Sequence, residues 1–386
     1  MNAHHKPVYF DHNATTPLDP RVLEAMLPFL REQCGNASSR HELGTVARHA
    51  IDRAREQVAA AVGVQPVQVV FTSGGTEANN LFIRGTAAGM KPGQIALSAI
   101  EHPCVVGPAQ DLQRQGWTLR RLKVNRDGVL DAADIDAAIA GRPQLWSAML
   151  ANNETGVVQD IPAIAERARS AGAVVHSDAV QALGKIAVDF RALNVQALTV
   201  SAHKICGPKG AGALVIDKRL DLRALLAGGG QERGLRGGTE NVPAIVGFGA
   251  ACDIAMAQLG ERSKRIGALR ERLERGLHGQ RAVIFGEAAP QRLPNTTYFA
   301  LHGIHGEALV IELDKAGYAT GSGAACSSSS DAPSSTLLAM GIEPELARGA
   351  VRISLGEGNN AEQVDGFLQA LAAVAKRLRG LQAVAV

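Results

Sequence analysis

Six short apolar stretches lie between residues 68 and 202: QVVF (68–71), IALSAI (95–100), TLRRLKV (118–124), LWSAML (145–150), AVVHSD (173–178) and ALTVSA (197–202). Longer helical patterns separate them. Strands spaced by helices need crossover connections, and crossovers build an α/β fold around a mostly parallel sheet. Ligands of such sheets bind where the strands end, so the residues that close each stretch are the candidates for chemistry. At 386 residues the chain is long for one core, and two domains are expected. A large domain over 16–260 would hold the sheet. A smaller α+β domain, 1–15 plus 261–386, would hold AVIF, TTYFAL and AVRISL with helices near 307–316, 334–340 and 361–380. The helical run from Pro243 to about Leu277, charged along one side, reads as the spacer between them.

Composition narrows the class of function. The formal net charge is +3 and aromatic residues make up 4% of the chain, which suits neither nucleic acid nor an acidic membrane surface. No apolar run is long enough to cross a bilayer, and the first residues, MNAHHKPVYF, carry no signal-peptide core. The five cysteines (Cys34, Cys104, Cys206, Cys252 and Cys326) are odd in number and contain no C-x-x-C. A disulfide framework and a zinc site are both disfavoured, and a reducing, cytoplasmic compartment is expected.

The strand ends carry a consistent set of groups. Lys204 follows ALTVSA in Ser201-Ala-His203-Lys204, where the rim of a core strips water from an amine and suits it to Schiff-base chemistry; a solvated surface lysine is the alternative. Ser73-Gly-Gly75-Thr76 joins a strand to a helix, where backbone N–H groups and the helix N-terminus favour a phosphate; glycines at such turns are also common in plain connections. Asp178 closes AVVHSD and could pair with a ring nitrogen, with Gln181 reaching a ring oxygen, or it could cap a helix. His102, in Glu-His-Pro, suits stacking and proton transfer or a hydrogen-bonded helix start. Asn153 stands in the polar turn NNETG. Cys326 lies in GSGAACSSSS, a run of small residues that would leave a thiol exposed. Phosphate cradle, imidazole, amide, carboxylate and lysine at one sheet edge point together to pyridoxal 5'-phosphate held by Lys204.

The motifs FTSGGTEANN, EHPCVV, NNETGVVQD, HSDAVQALGK, SAHKICGPKGAGAL, GGGQERGLRGGTENV and GSGAACSSSSDAPSSTLLAMG run in order over most of the chain. Together they resemble the NifS/IscS-type cysteine desulfurases of the class V aminotransferase group, pyridoxal-phosphate enzymes of fold type I. The resemblance implies that L-cysteine is converted to L-alanine, with its sulfur left as a persulfide on Cys326 for an acceptor protein such as an iron–sulfur scaffold. Lys204 would bind the cofactor aldehyde, Asp178 its ring nitrogen, Gln181 and Asn153 its ring oxygen and face, and His102 would stack and handle protons. Gly75, Thr76, Ser201 and His203 would hold the phosphate, with Thr239 supplied from the second subunit of a homodimer. Arg352, assisted by Asn36, would bind the substrate carboxylate. The other four cysteines fall outside the matching position.

The chain departs from the resemblance around Cys326, after SLG (EGNN) and at its C-terminus, AKRLRGLQAVAV. These departures bear on the loop and on the sulfur acceptor. A selenocysteine lyase, another class V transaminase and a non-catalytic partner protein are the rival readings. Keto-acid production would mark a transaminase, and a colourless pure protein would mark the last.

Overall fold

The computed structural model describes residues 7–322 and 332–384, and Cys326 lies outside them. The first strand, β1 (Val8–Tyr9), leads into α1 (Pro20–Arg31) and α2 (Glu42–Ala61). Pro20 opens α1 at a position where its missing N–H costs nothing, and the Asp19 side chain caps the next amide. The large sheet then forms from β2 (Val69–Thr72), β3 (Gln94–Ser98), β4 (Thr118–Leu122), β5 (Leu145–Ser147), β6 (Val174–Asp178), β7 (Ala197–Ser201) and β8 (Gly212–Ile216). Helices α3 (Gly75–Ala87), α4 (Pro103–Arg114), α5 (Ala132–Ala140) and α6 (Ile161–Ser170) alternate with the strands.

The strand order is β2-β8-β7-β6-β5-β3-β4. Only β8 runs against its neighbours, so β2 points the same way as β7 and the carboxyl ends of six strands share one edge. Sequence reading finds all six of those strands and misses β8. Its five residues are all buried, so they show no alternation, and GPKGAG just ahead of them masks the strand with loop composition. Alternate side chains feed two layers. Val69 and Phe71 of β2 join a core with α2 and α6, whereas Val70 joins Leu81 and Phe82 of α3 and Val105 of α4. Each such side chain contributes about 1.5–3 kcal/mol of burial.

The expected helical spacer is corrected by the structure. α7 (Val242–Ala257) and α8 (Leu259–Gly279) are separate helices that meet at 72°. α7 is apolar on most of its surface and packs against α1 and α2, while α8 carries the charges and packs against the last helix. Burial, not spacing, is what the apolar half was encoding. No single helix among the described residues is long and apolar enough to cross a membrane.

A second sheet follows, built from β9 (Val283–Ile284), β10 (Thr296–Ala300), β12 (Gly321–Ser322) and β13 (Ala350–Ser354) in the order β12-β13-β10-β9, all antiparallel. β11 (Tyr318–Ala319) pairs with β1 instead. α9 (Gly306–Lys315), the short α10 (Ser335–Ala339) and α11 (Pro344–Arg348), and α12 (Ala361–Val384) complete this part. Phe299, Val351 and Ile353 face its own core with α9 and α12. Tyr298 points to the opposite side and joins the core of the large sheet. Arg352 is the direct cross-strand partner of Tyr298, so it shares that face and is aimed at the large sheet.

Candidate active site

The carboxyl edge of the large sheet opens into a cavity of about 360 Å³, within the range of small-ligand sites. β7 runs straight into a 3-10 turn, Ala202–Lys204, which brings Lys204 to the cavity wall. Its Nζ donates to the carbonyls of Asn13 at 2.5 Å and Ala14 at 2.7 Å. Ser201 and His203 flank it on the same wall. Burial and the nearby charges of Lys204, Lys209 and Lys185 hold the His203 imidazole down at about 4, neutral at ordinary pH.

Asp178 ends β6 and is 6% exposed. Its Oδ1 accepts the Val180 N–H at 2.9 Å and its Oδ2 accepts from Asn79 Nδ2 at 2.7 Å. Burial raises the carboxyl above its ordinary range, while those two hydrogen bonds and the charges of His102 and Lys204 oppose the rise. A cationic ring N–H is the kind of partner that would complete the compensation.

His102 caps α4 through Nδ1, which accepts the Cys104 N–H at 3.2 Å. That hydrogen bond assigns the ring proton to Nε2. Burial lowers the imidazole, Asp178 raises it again and Lys204 lowers it further. The Cys104 Sγ lies 2.9 Å from the same Nδ1, and burial pushes this thiol up to about 12. Cys104 therefore stays protonated and is a poor nucleophile, although it lines the cavity.

The phosphate cradle expected at Ser73–Thr76 forms the first turn of α3. Gly74 has φ 155°, a backbone that side chains rarely adopt, and a Cβ on Gly75 would come within 3.0 Å of Val180. Glycine is what leaves room there, and Gly75 and Thr76 both face the cavity. Asn153 and Gln181 also line it. Gln181 Nε2 donates to the Asn13 carbonyl at 2.9 Å. Arg352 enters from β13, with Nη1 donating to the Asn153 carbonyl at 3.1 Å and Nη2 to Asp11 Oδ1 at 2.6 Å. Its buried Nε has no partner among the described residues. Two predicted residues do not reach this cavity within the chain. Thr239 is exposed, and Asn36 is exposed with its Oδ1 accepting the Ser38 N–H.

Sequence reading overlooks Asn13, Asn79 and Lys185. Asn79 is fully buried, and its Oδ1 has no partner among the described residues. Its signal was a polar residue interrupting the apolar face of α3. Asn13 lies in HNATTP, an extended polar segment with no periodicity to mark it.

The model of the class-V aminotransferase family ("Aminotransferase class-V") matches residues 8–367. A cysteine desulfurase from Sinorhizobium fredii is 43% identical over 378 residues, covering 97% of this chain and 98% of the relative. Among solved structures, a NifS-like protein superposes with a TM-score of 0.91 at 37% identity, covering 96% of this chain and all of the other. SspA in complex with cysteine superposes with a TM-score of 0.80 at 32% identity, over 90% of this chain and 98% of the other.

Proposed function

The chain belongs to the class-V aminotransferase family, and from that premise we propose that it is a pyridoxal-phosphate-dependent cysteine desulfurase. The observation that carries this reading is the meeting of Lys204, Asp178, His102, Gln181 and Arg352 around one cavity. The cavity's chemistry fits the cofactor. An amine, a buried carboxylate and a glycine-lined helix start answer its aldehyde, its ring nitrogen and its phosphate in turn.

When bound, pyridoxal phosphate supplies an electron sink for a carbanion at the substrate α-carbon. The chain supplies the rest. Lys204 would hold the aldehyde at rest and, once freed by substrate, take the α-proton. Asp178 would keep the ring nitrogen protonated, and Thr76, Ser201 and His203 would hold the phosphate. Arg352 would grip the substrate carboxylate through its Nε, which has no partner among the described residues, and fix which bond faces the base. His102, with its proton on Nε2, would protonate the departing fragment.

Cys326 would attack the substrate sulfur as thiolate. The C–S bond breaks, the sulfur becomes the outer atom of a Cys326 persulfide, and the carbon skeleton gains a proton and leaves as L-alanine. The protein would act as a cytoplasmic homodimer, with Thr239 reaching the partner's phosphate site, and would pass its sulfur to an acceptor protein. Exposed leucines on α1 and α2, namely Leu23, Leu30 and Leu43, support the dimer.

The test is turnover of L-cysteine by purified protein. Alanine and sulfide are expected in equal amounts when a thiol reductant is present, and Cys326→Ser is expected to abolish both while the visible cofactor band remains. Keto acid in place of alanine, or full turnover by the serine variant, would overturn the reading.

A further inference from the structure

Lys185 is a half-buried lysine one turn beyond Gln181, and no step of the proposed reaction uses it. Its Nζ donates to Gln181 Oε1 at 2.6 Å and to Asn13 Oδ1 at 2.8 Å. Asn13 is held from every side. Its Oδ1 also accepts from Asn295, its Nδ2 donates to Thr296 Oγ1 and to the Asn153 carbonyl, and its N–H donates to Ser354 Oγ. Its carbonyl in turn receives Gln181 Nε2 and Lys204 Nζ.

A free glutamine amide presents its oxygen or its nitrogen with little preference. Here the choice is made by charge. An ammonium has only donors, so the atom facing Lys185 must be the oxygen, and the nitrogen is turned toward the cavity side. One Nε2 hydrogen goes to Asn13, which leaves the second for a ligand. We propose that Lys185 is a positioning residue: by fixing the Gln181 amide, it makes the cavity present an N–H donor to the ring oxyanion of the cofactor, and by pinning Asn13 it holds the carbonyl that receives Lys204 Nζ when that amine is free of the cofactor. This rests on the cofactor reading above.

The local electrostatics oppose the charged form of Lys185, so its contacts must offset a cost. Burial pulls the Lys185 ammonium well below the ordinary lysine range, and Lys204, Arg352 and Arg262 add repulsion, with Cys206 opposing them. Two strong acceptors, Gln181 Oε1 and Asn13 Oδ1, offset that cost. Carbonyl and amide contacts alone would have served a residue needed only for packing.

The experiment is a pH titration of the near-visible absorption of the holoenzyme. Losing an N–H donor to an oxyanion raises the oxyanion's proton affinity, so Lys185→Met is expected to move the spectral midpoint upward by about one pH unit, the scale of a hydrogen bond to a charged group. Lys185→Gln keeps a donor for Gln181 Oε1 without the charge, and is expected to return more than half of that shift. Gln181→Glu leaves Lys185 paired and offers the cavity no N–H. It should reproduce the upward shift, and it reads the same claim should Lys185→Met fail to fold. Wild-type midpoints in Lys185→Met or Gln181→Glu would overturn the proposal, as would equal shifts in Lys185→Met and Lys185→Gln. Absence of any visible band in the wild-type protein would instead sink the cofactor reading.

Discussion

Asp178 shows how much one side chain can owe to its position. At the end of β6 it is too buried to be a comfortable carboxylate, and its two hydrogen bonds only partly restore the charged form. Asp178→Asn keeps the shape and removes the charge that a ring cation would pair with. Breaking a buried ion pair costs about 3–5 kcal/mol, so kcat/KM is expected to fall roughly 10²- to 10⁴-fold, with little change in melting temperature. A loss under tenfold would show that Asp178 does not face the reacting ring. Asp178, Lys204 and His102 could be picked out of the sequence because each stands directly behind an apolar strand, where the α/β rule puts ligands. Asn13 and Lys185 could not. Their importance comes from contacts across 172 positions of chain, which no local pattern records.

Elements were legible where periodicity was clean and illegible where burial was complete. The parallel strands and the helices α1 to α4 and α6 follow from their patterns, whereas α5, β8 and the break between α7 and α8 do not. The Gly-rich segment 228–238 offers no periodicity to read. In the structure it is tightly held: Glu232 accepts two hydrogen bonds from Arg55 and one from the Phe71 N–H. Glu232 and Arg233 have φ of 46° and 59°, a conformation that persists for such residues only when the surroundings impose it. Arg236 is tied to Glu77 at the start of α3. A segment so constrained, with Thr239 exposed beside it, is suited to meet a second copy of the chain. Light scattering is expected to give about twice 40.4 kDa, and a monomer at micromolar concentration would remove Thr239 from the site.

The whole molecule carries opposing titrations in its interior. Burial holds His176 at about 3 and His12 at about 4, both neutral in the fold, and it raises Glu101 to about 8, with Asp178 adding to the rise. A depressed histidine contributes stability above pH 6.5 that is lost as pH falls toward its folded value, whereas a raised carboxyl contributes stability at low pH that is lost as pH rises through 8. The sum is partly self-cancelling, so single residues are the sharper test. His176 stacks on Phe82 and bonds to Ser147 and Thr199. His176→Gln removes its titration while keeping polar atoms. Between pH 6.5 and 4 the variant is expected to lose roughly 3 kcal/mol less unfolding free energy than the wild type, at about 1.4 kcal/mol per unit. Parallel stability curves from urea titration would contradict the buried neutral form.

Arg352 and Lys204 sit on different sheets, yet Asp11, which holds the first, is only three positions (14 − 11) from Ala14, whose carbonyl holds the second. An acid group settling on the guanidinium would compete with Asp11 for it, three residues along the chain from the carbonyl that meets Lys204 Nζ. One short run of chain thus works as a strap between the two sheets, with an arginine contact at one end and a lysine contact at the other.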